Sequence, residues 1–238
     1  MSSISHAGYG QFCPVAMASE LVCKRWTTLI LRELLSGSHR YGELRKGLPR
    51  ISPALLTDRL RELESKGVIR RAVTDKGDNC YLLTEAGEAL RPIVIALGVW
   101  GHQWVESSAS LANLDPSLLM WDMRRNLDPR PLPKRRSVVQ FVYRDLPRAK
   151  QRWWLVVEAQ GEVDLCYGDP GFEVDLRVVA ELRSMTAIWM GFVTLADEID
   201  RGNVQLIGEP GLKRTIDAWL GVSPFASKNG ERATQGVA

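Results

Sequence analysis

The sequence predicts an α+β chain of two domains. Three observations predict it. Apolar residues recur at helical spacing up to about residue 104, and apolar and polar residues alternate with a period of two past residue 136. Pro116, Pro129, Pro131 and Pro133 lie between the two regimes. A chain of 238 residues is also long for one domain. The expected boundaries are 1–110 for a first domain, 111–134 for a connector, 135–222 for a second domain and 223–238 for a flexible tail.

In the first domain, Glu20 to Leu35 carries Leu21, Val22, Trp26, Leu29, Ile30 and Leu34 and reads as one helix, stopped at Ser36-Gly37-Ser38. Tyr41 to Leu48 reads as a short second helix closed by Pro49. A third follows: Ser52 suits the N-cap, and Pro53 suits the first helical position, where its missing N–H costs nothing. Leu56, Leu60 and Leu63 then give an apolar stripe at i, i+4, i+7, and Gly67 sits where a left-handed cap ends the helix. Val68-Ile69 and Tyr81-Leu82-Leu83 flank Asp75-Lys76-Gly77-Asp78-Asn79, a turn signal between two β-prone runs. Two short-connected helices, a third helix and a hairpin, in that order, make a winged helix-turn-helix, whose third helix enters the major groove of DNA.

The charge distribution agrees. The net charge is only +3, but Lys24 to Lys76 holds 13 Lys/Arg against 6 Asp/Glu, the kind of local basic surface that phosphate neutralisation requires. With the three leucines buried, the opposite face of the third helix carries Ala54, Thr57, Asp58, Arg61 and Ser65. The N-terminal residues of a recognition helix reach deepest, so the candidates for DNA contact are Ser52, Ala54, Thr57, Asp58 and Arg61. Arg61 suits either a guanine edge or a phosphate. Asp58 either accepts from a cytosine amino group or pairs with Arg61 or Arg40. Arg59 lies beside the buried stripe and is expected to pair with Glu33 or Glu62. Arg40, at the start of the second helix, and Lys76, at the wing tip, are phosphate candidates.

The first domain resembles the HxlR-type family of bacterial transcription regulators. The resemblance rests on Cys13-Pro14-Val15, Lys24-Arg25-Trp26-Thr27, Leu31-Arg32-Glu33-Leu34, Arg40-Tyr41-Gly42-Glu43-Leu44, Ile51-Ser52-Pro53, Leu56-Thr57-Asp58-Arg59-Leu60-Arg61-Glu62-Leu63 and Leu83-Thr84-Glu85-Ala86-Gly87. It implies a cytoplasmic homodimer on a near-palindromic DNA operator. It also makes Cys13 a redox candidate, because some relatives sense oxidants or electrophiles there; Lys24 and Arg25 are the expected cause of a lowered thiol pKa. The bland alternative is a buried, inert cysteine. The wing departs from the proline-rich wing of many relatives. Thr84 to Ser107 reads as one helix too apolar for a single packed face, which suits a dimer helix or, alternatively, packing against the second domain.

The second domain reads as strands at Val138–Tyr143, Trp153–Val157, Val163–Tyr167 and Phe172–Leu176 with hairpin-length turns, hence an antiparallel sheet. Helices at Val178–Met190 and Thr194–Arg201, a strand at Val204–Ile207 and a last helix at Leu212–Leu220 then cover it. Lys134-Arg135-Arg136 reads as a solvated linker run. This order, with Gly202, Gly208 and the Asp169-Pro170 turn, resembles the sterol carrier protein fold. That implies an apolar tunnel for a lipid-like or aromatic effector, lined by Val179, Leu182, Met185, Trp189, Phe192 and Trp219, although each alone is an ordinary core residue.

Other chemistry is missing from the sequence. There is no P-loop, GxGxxG, HExxH or GxSxG, so no enzyme, cofactor or metal is expected. Cys13, Cys23, Cys80 and Cys166 are scattered and form no CxxC pair, which fits a reducing compartment. No run is long enough to span a membrane, and the N-terminus is not a signal peptide. Three functions remain: a ligand-responsive repressor, a Cys13 redox regulator, or a regulator whose second domain is only a carrier or oligomerisation module.

Overall fold

The computed structural model describes residues 8–75, 77–105 and 111–226. The chain divides into two compact units, Met1–Leu97 and Gly98–Ala238.

In the first unit, α1 (Pro14–Val22) and α2 (Thr27–Leu35) replace the single helix expected over Glu20–Leu35. The break lies at Trp26, whose φ of 77° is left-handed. A non-glycine residue in that region cannot continue a right-handed helix. Its half-buried ring packs on the core, which holds the turn in place. Next come α3 (Tyr41–Gly47) and α4 (Pro53–Ser65). The α4 C-terminus is a Schellman cap: Gly67 has φ +70°, its N–H donates to the Glu64 carbonyl, and Val68 N–H donates to the Leu63 carbonyl. The wing is β1 (Ile69–Val73) paired antiparallel with β2 (Asn79–Leu83), from Ile69 opposite Leu83 to Val73 opposite Asn79. Its tip residue Lys76 lies outside the described residues.

The helix expected over Thr84–Ser107 is also two, α5 (Glu85–Glu88) and α6 (Arg91–Trp104). Pro92 explains the break, since it offers no N–H to the Glu88 carbonyl and its ring crowds that group. Thr84 locks the joint. Its hydroxyl accepts from Gly87 N–H and donates to the Gly67 carbonyl at 2.6 Å, while its own N–H donates to the Val68 carbonyl. Ile30, Leu31, Leu34, Leu44, Leu56, Leu60 and Leu63 fill the core of this unit. At its edge, Glu33 is wholly buried, held by Arg32 at 2.7 Å and by the Ser38 hydroxyl.

The second unit holds α7 (Pro116–Asn126), β3 (Ser137–Tyr143), β4 (Arg152–Val157), β5 (Val163–Cys166), β6 (Leu176–Ala180), α8 (Leu182–Trp189), α9 (Leu195–Asp200), β7 (Val204–Gly208), α10 (Pro210–Arg214) and α11 (Ile216–Leu220). The five strands lie in the order β5-β4-β3-β6-β7. The expected antiparallel sheet is therefore corrected to a mixed one, because β3 and β6 are parallel while the other pairs are antiparallel. Residues 167–175 carry the chain across β4 and β3 rather than turning a hairpin, so β6 joins the far side of β3. The strand also begins at Leu176, later than the Phe172–Leu176 alternation suggested. Asp175 accounts for that shift: its carboxylate accepts from Val138 N–H at 2.7 Å and pairs with Arg135 at 2.8 Å, docking the segment on the start of β3.

Two other expectations change. Residues 111–134 are more than a connector, since Leu119, Met120, Met123, Leu127 and Leu132 are buried in the core of this unit. Arg135 and Arg136 are clamps rather than a solvated run: Arg135 also holds Glu209, and Arg136 pairs with Glu158 and lies 4.0 Å over the Phe172 ring. Of the expected tail, Ser223 and Ala226 are buried, and 227–238 lie outside the described residues. Strand alternation sends Val139, Phe141, Tyr143, Leu155, Leu176 and Val178 towards the helices, where Tyr143 donates to the Met120 sulfur. Burial raises the Tyr143 pKa well above the ordinary phenol value.

Among the described glycines of the first unit, Gly87 comes closest to another stretch of backbone. A Cβ there would lie 2.2 Å from the Val68 carbonyl oxygen, an atom already fixed by Thr84. Gly87→Ala is expected to destabilise the chain by about 2 kcal/mol, the usual scale for overpacking. Urea unfolding checks this, and an unchanged midpoint would contradict the packing described.

Candidate nucleic-acid interface

One side of α4 is committed to the core and the other is open. Leu56, Leu60 and Leu63 are at most 1% exposed. Ser52, Ala54, Asp58 and Arg61 are exposed, and Thr57 is half-buried on the same side. Ser52 Oγ accepts from Leu55 N–H at 3.3 Å, so its role in the free protein is an N-cap. Thr57 Oγ1 donates to the Pro53 carbonyl, leaving its lone pairs and methyl group for a base edge. The Tyr41 hydroxyl donates to that same carbonyl at 3.0 Å and so ties α3 to the first turn of α4.

The electrostatics separate structural arginines from available ones. Arg59 is structural: it donates to the Arg25 carbonyl and pairs with Glu62, which also receives Lys24. The hydrogen bond from Lys24, followed by Coulombic attraction, holds Glu62 below the ordinary carboxylate pKa despite some burial. Arg61 makes only a loose 3.8 Å contact with Asp58, and both side chains are more than 60% exposed. Such a surface pair is worth about 0–1 kcal/mol, so a DNA group can displace it. Arg40 bridges to Asp78 in the wing at 3.1 Å. Arg45, Arg50 and Arg70 are exposed and ion-paired with none of the described residues. All three lie within the basic stretch Lys24–Lys76 but outside the contacts that helical periodicity predicts.

The thiol of Cys13 sits at the N-cap of α1 and is half-buried. Its pKa is lowered chiefly by the backbone N–H of Ala16 and then by that of Val15. The cause is thus the open end of the helix and not Lys24 or Arg25, which corrects the expectation.

The candidates for an effector tunnel are dispersed. Leu182, Met185, Trp189 and Trp219 are buried core residues, and Trp219 Nε1–H donates to the Leu212 carbonyl. Phe192 is half-buried, and Val179 lies on β6, facing away from that core. No group of acidic, His or Cys side chains among the described residues could hold a metal ion, and no described helix is long and apolar enough to cross a membrane.

A family model described as HxlR-like helix-turn-helix matches residues 21–109. The HTH-type transcriptional regulator YvaP of Bacillus subtilis is 38% identical over 101 residues, covering 41% of this chain and 94% of that protein. The HTH-type transcriptional regulator YodB of Bacillus subtilis is 35% identical over 97 residues, covering 40% and 87% respectively. A solved structure titled as the redox regulator HypR in its oxidized form is 32% identical, with a TM-score of 0.37, and covers 40% of this chain and 99% of that one.

The Cys13 geometry predicts a reactive thiol. Alkylation of Cys13 by iodoacetamide, followed by peptide mass spectrometry, should reach half its maximal rate at a lower pH than N-acetylcysteine amide does. A higher midpoint would contradict the helix-terminal assignment.

Proposed function

This chain belongs to the HxlR-like helix-turn-helix family of transcriptional regulators, and from that premise we propose that it acts as a homodimer reading a near-palindromic DNA operator in the cytoplasm. Its role is regulatory and not enzymatic. The observation that carries the proposal is the division of α4 into a buried leucine stripe and an open face holding Ser52, Ala54, Thr57, Asp58 and Arg61. Arg61 takes a base edge, Thr57 meets a neighbouring base, and Arg40, Lys76, Arg45, Arg50 and Arg70 supply phosphate contacts. The sign of regulation we read as repression.

Dimerisation rests on exposed apolar surface. No residue of α1 is buried, Phe12 beside it is 97% exposed, and Ile93, Leu97, Trp100 and Trp104 form an exposed stripe along α6. A monomer rarely leaves so much apolar surface in water.

Two readings of the signal follow. The relatives named above each align with about two fifths of this chain, so we assign the response to a small apolar effector to the second unit. Redox control through Cys13 is the second reading, favoured by its helix-terminal thiol.

With DNA ligands selected from a random pool, log K should fall linearly with log salt, and Arg61→Ala should cost about 1–3 kcal/mol on the selected site. A flat salt response, or wild-type affinity for Arg61→Ala, would sink the recognition scheme. Leu97→Glu should convert the dimer to monomer in sedimentation equilibrium and abolish operator binding with it. A dimer that survives this substitution would place the interface elsewhere.

A further inference from the structure

The face of the β3–β7 sheet turned away from the helices holds features the regulatory reading leaves unused. Arg177, Gln140, Trp154 and Cys166 lie in one row across β6, β3, β4 and β5, because Gln140 is the register partner of both Arg177 and Trp154, and Trp154 that of Cys166. Val142 and Arg152 form the next row. Residues 167–175 pass over this face, and beneath them lies a pocket of about 340 Å³ lined by Gln140, Val142, Arg152, Trp154, Asp169, Val174 and Arg177. That volume falls within the range of small-molecule sites, about 300–1,000 Å³.

The lining has a definite chemistry. Its floor is buried, with Gln140 7% and Trp154 5% exposed. Gln140 Oε1 accepts from Arg177 Nε at 2.6 Å, so the guanidinium is oriented while its terminal nitrogens stay available. Neither Arg177 nor Arg152 has an ion-pair partner among the described residues. Asp169 contributes one carboxylate at the rim, where it accepts from Gly171 N–H, so the lining keeps one excess positive charge. The buried Trp154 Nε1–H has no acceptor, so a slight movement of the ring towards a ligand oxygen breaks no existing bond. A neutral hydrophobe would leave two guanidiniums unused, and inorganic phosphate would lack the apolar body that Trp154, Val142 and Val174 complement, whereas a single carboxylate matches the one excess positive charge of the lining.

We propose that this pocket binds a small carboxylate with an aromatic or branched apolar body, its acid group between Arg152 and Arg177 and its body on Trp154. The site rests on the sheet face alone and not on the DNA reading. It also lies on the opposite side of the sheet from the core residues Leu182, Met185 and Trp219.

The test uses the full chain labelled with ¹⁵N and 1-naphthoate as the probe, with 1-naphthamide as its neutral counterpart. Trp154→Phe assigns the Trp154 indole N–H signal. The expected result is a saturable shift of that signal with naphthoate, at least about tenfold weaker affinity for naphthamide, and a comparable loss in Arg177→Gln and Arg152→Gln, as for removal of a charge-assisted hydrogen bond. Both arginines are exposed, so the variants retain the sheet. Absence of a saturable shift up to about 10 mM, equal binding of the amide, or wild-type affinity in both variants would each overturn the proposal.

Discussion

Burial of Leu56, Leu60 and Leu63 sets the rotation of α4, and the rest of the first unit depends on that rotation. Fully burying a leucine is worth about 1.5–3 kcal/mol, so three on one stripe outweigh any surface contact that would turn the helix otherwise. Once α4 is pinned, its polar face must point outward, and the Ser52 cap and the Gly67 Schellman turn define its length. The wing follows from the same constraint. Val68 and Ile69 are buried directly after that turn, so β1 leaves α4 in one direction, and Arg40 joins α3 to the wing through Asp78.

The second unit is organised by the two faces of one sheet. One face packs under α7, α8, α10 and α11 in a close core, and the other is only partly covered by residues 167–175. The parallel pairing of β3 with β6 is what forces that crossing segment, and with it the pocket. Thus the topology lays residues 167–175 over a face that an antiparallel meander would have left uncovered.

Much of this was legible in the residues, within limits that have physical causes. Capping and periodicity are local, so Ser52-Pro53, Gly67 and the wing match their expected places. The break at Trp26 was not legible, because no Gly or Pro marks it and tertiary packing of the ring holds the left-handed turn. Pro92 was a readable stop that the apolar run around it obscured. Strand order is non-local, so hairpin-length spacing suggested an antiparallel sheet and could not reveal that β6 joins the far side of β3. At the interface, periodicity separated Arg61 from Arg59, whereas Arg45, Arg50 and Arg70 stood out only once exposure and pairing were known.

The central claim is that the open face of α4 reads the major groove from each half of a dimer. Methylation interference on a selected operator tests it most directly, since guanine N7 lies in the major groove and adenine N3 in the minor. The account predicts interference at guanine N7 in two segments separated by roughly one helical turn, or a whole number of turns, on the same side of the duplex. Interference confined to adenine N3, or a single protected segment, would contradict it.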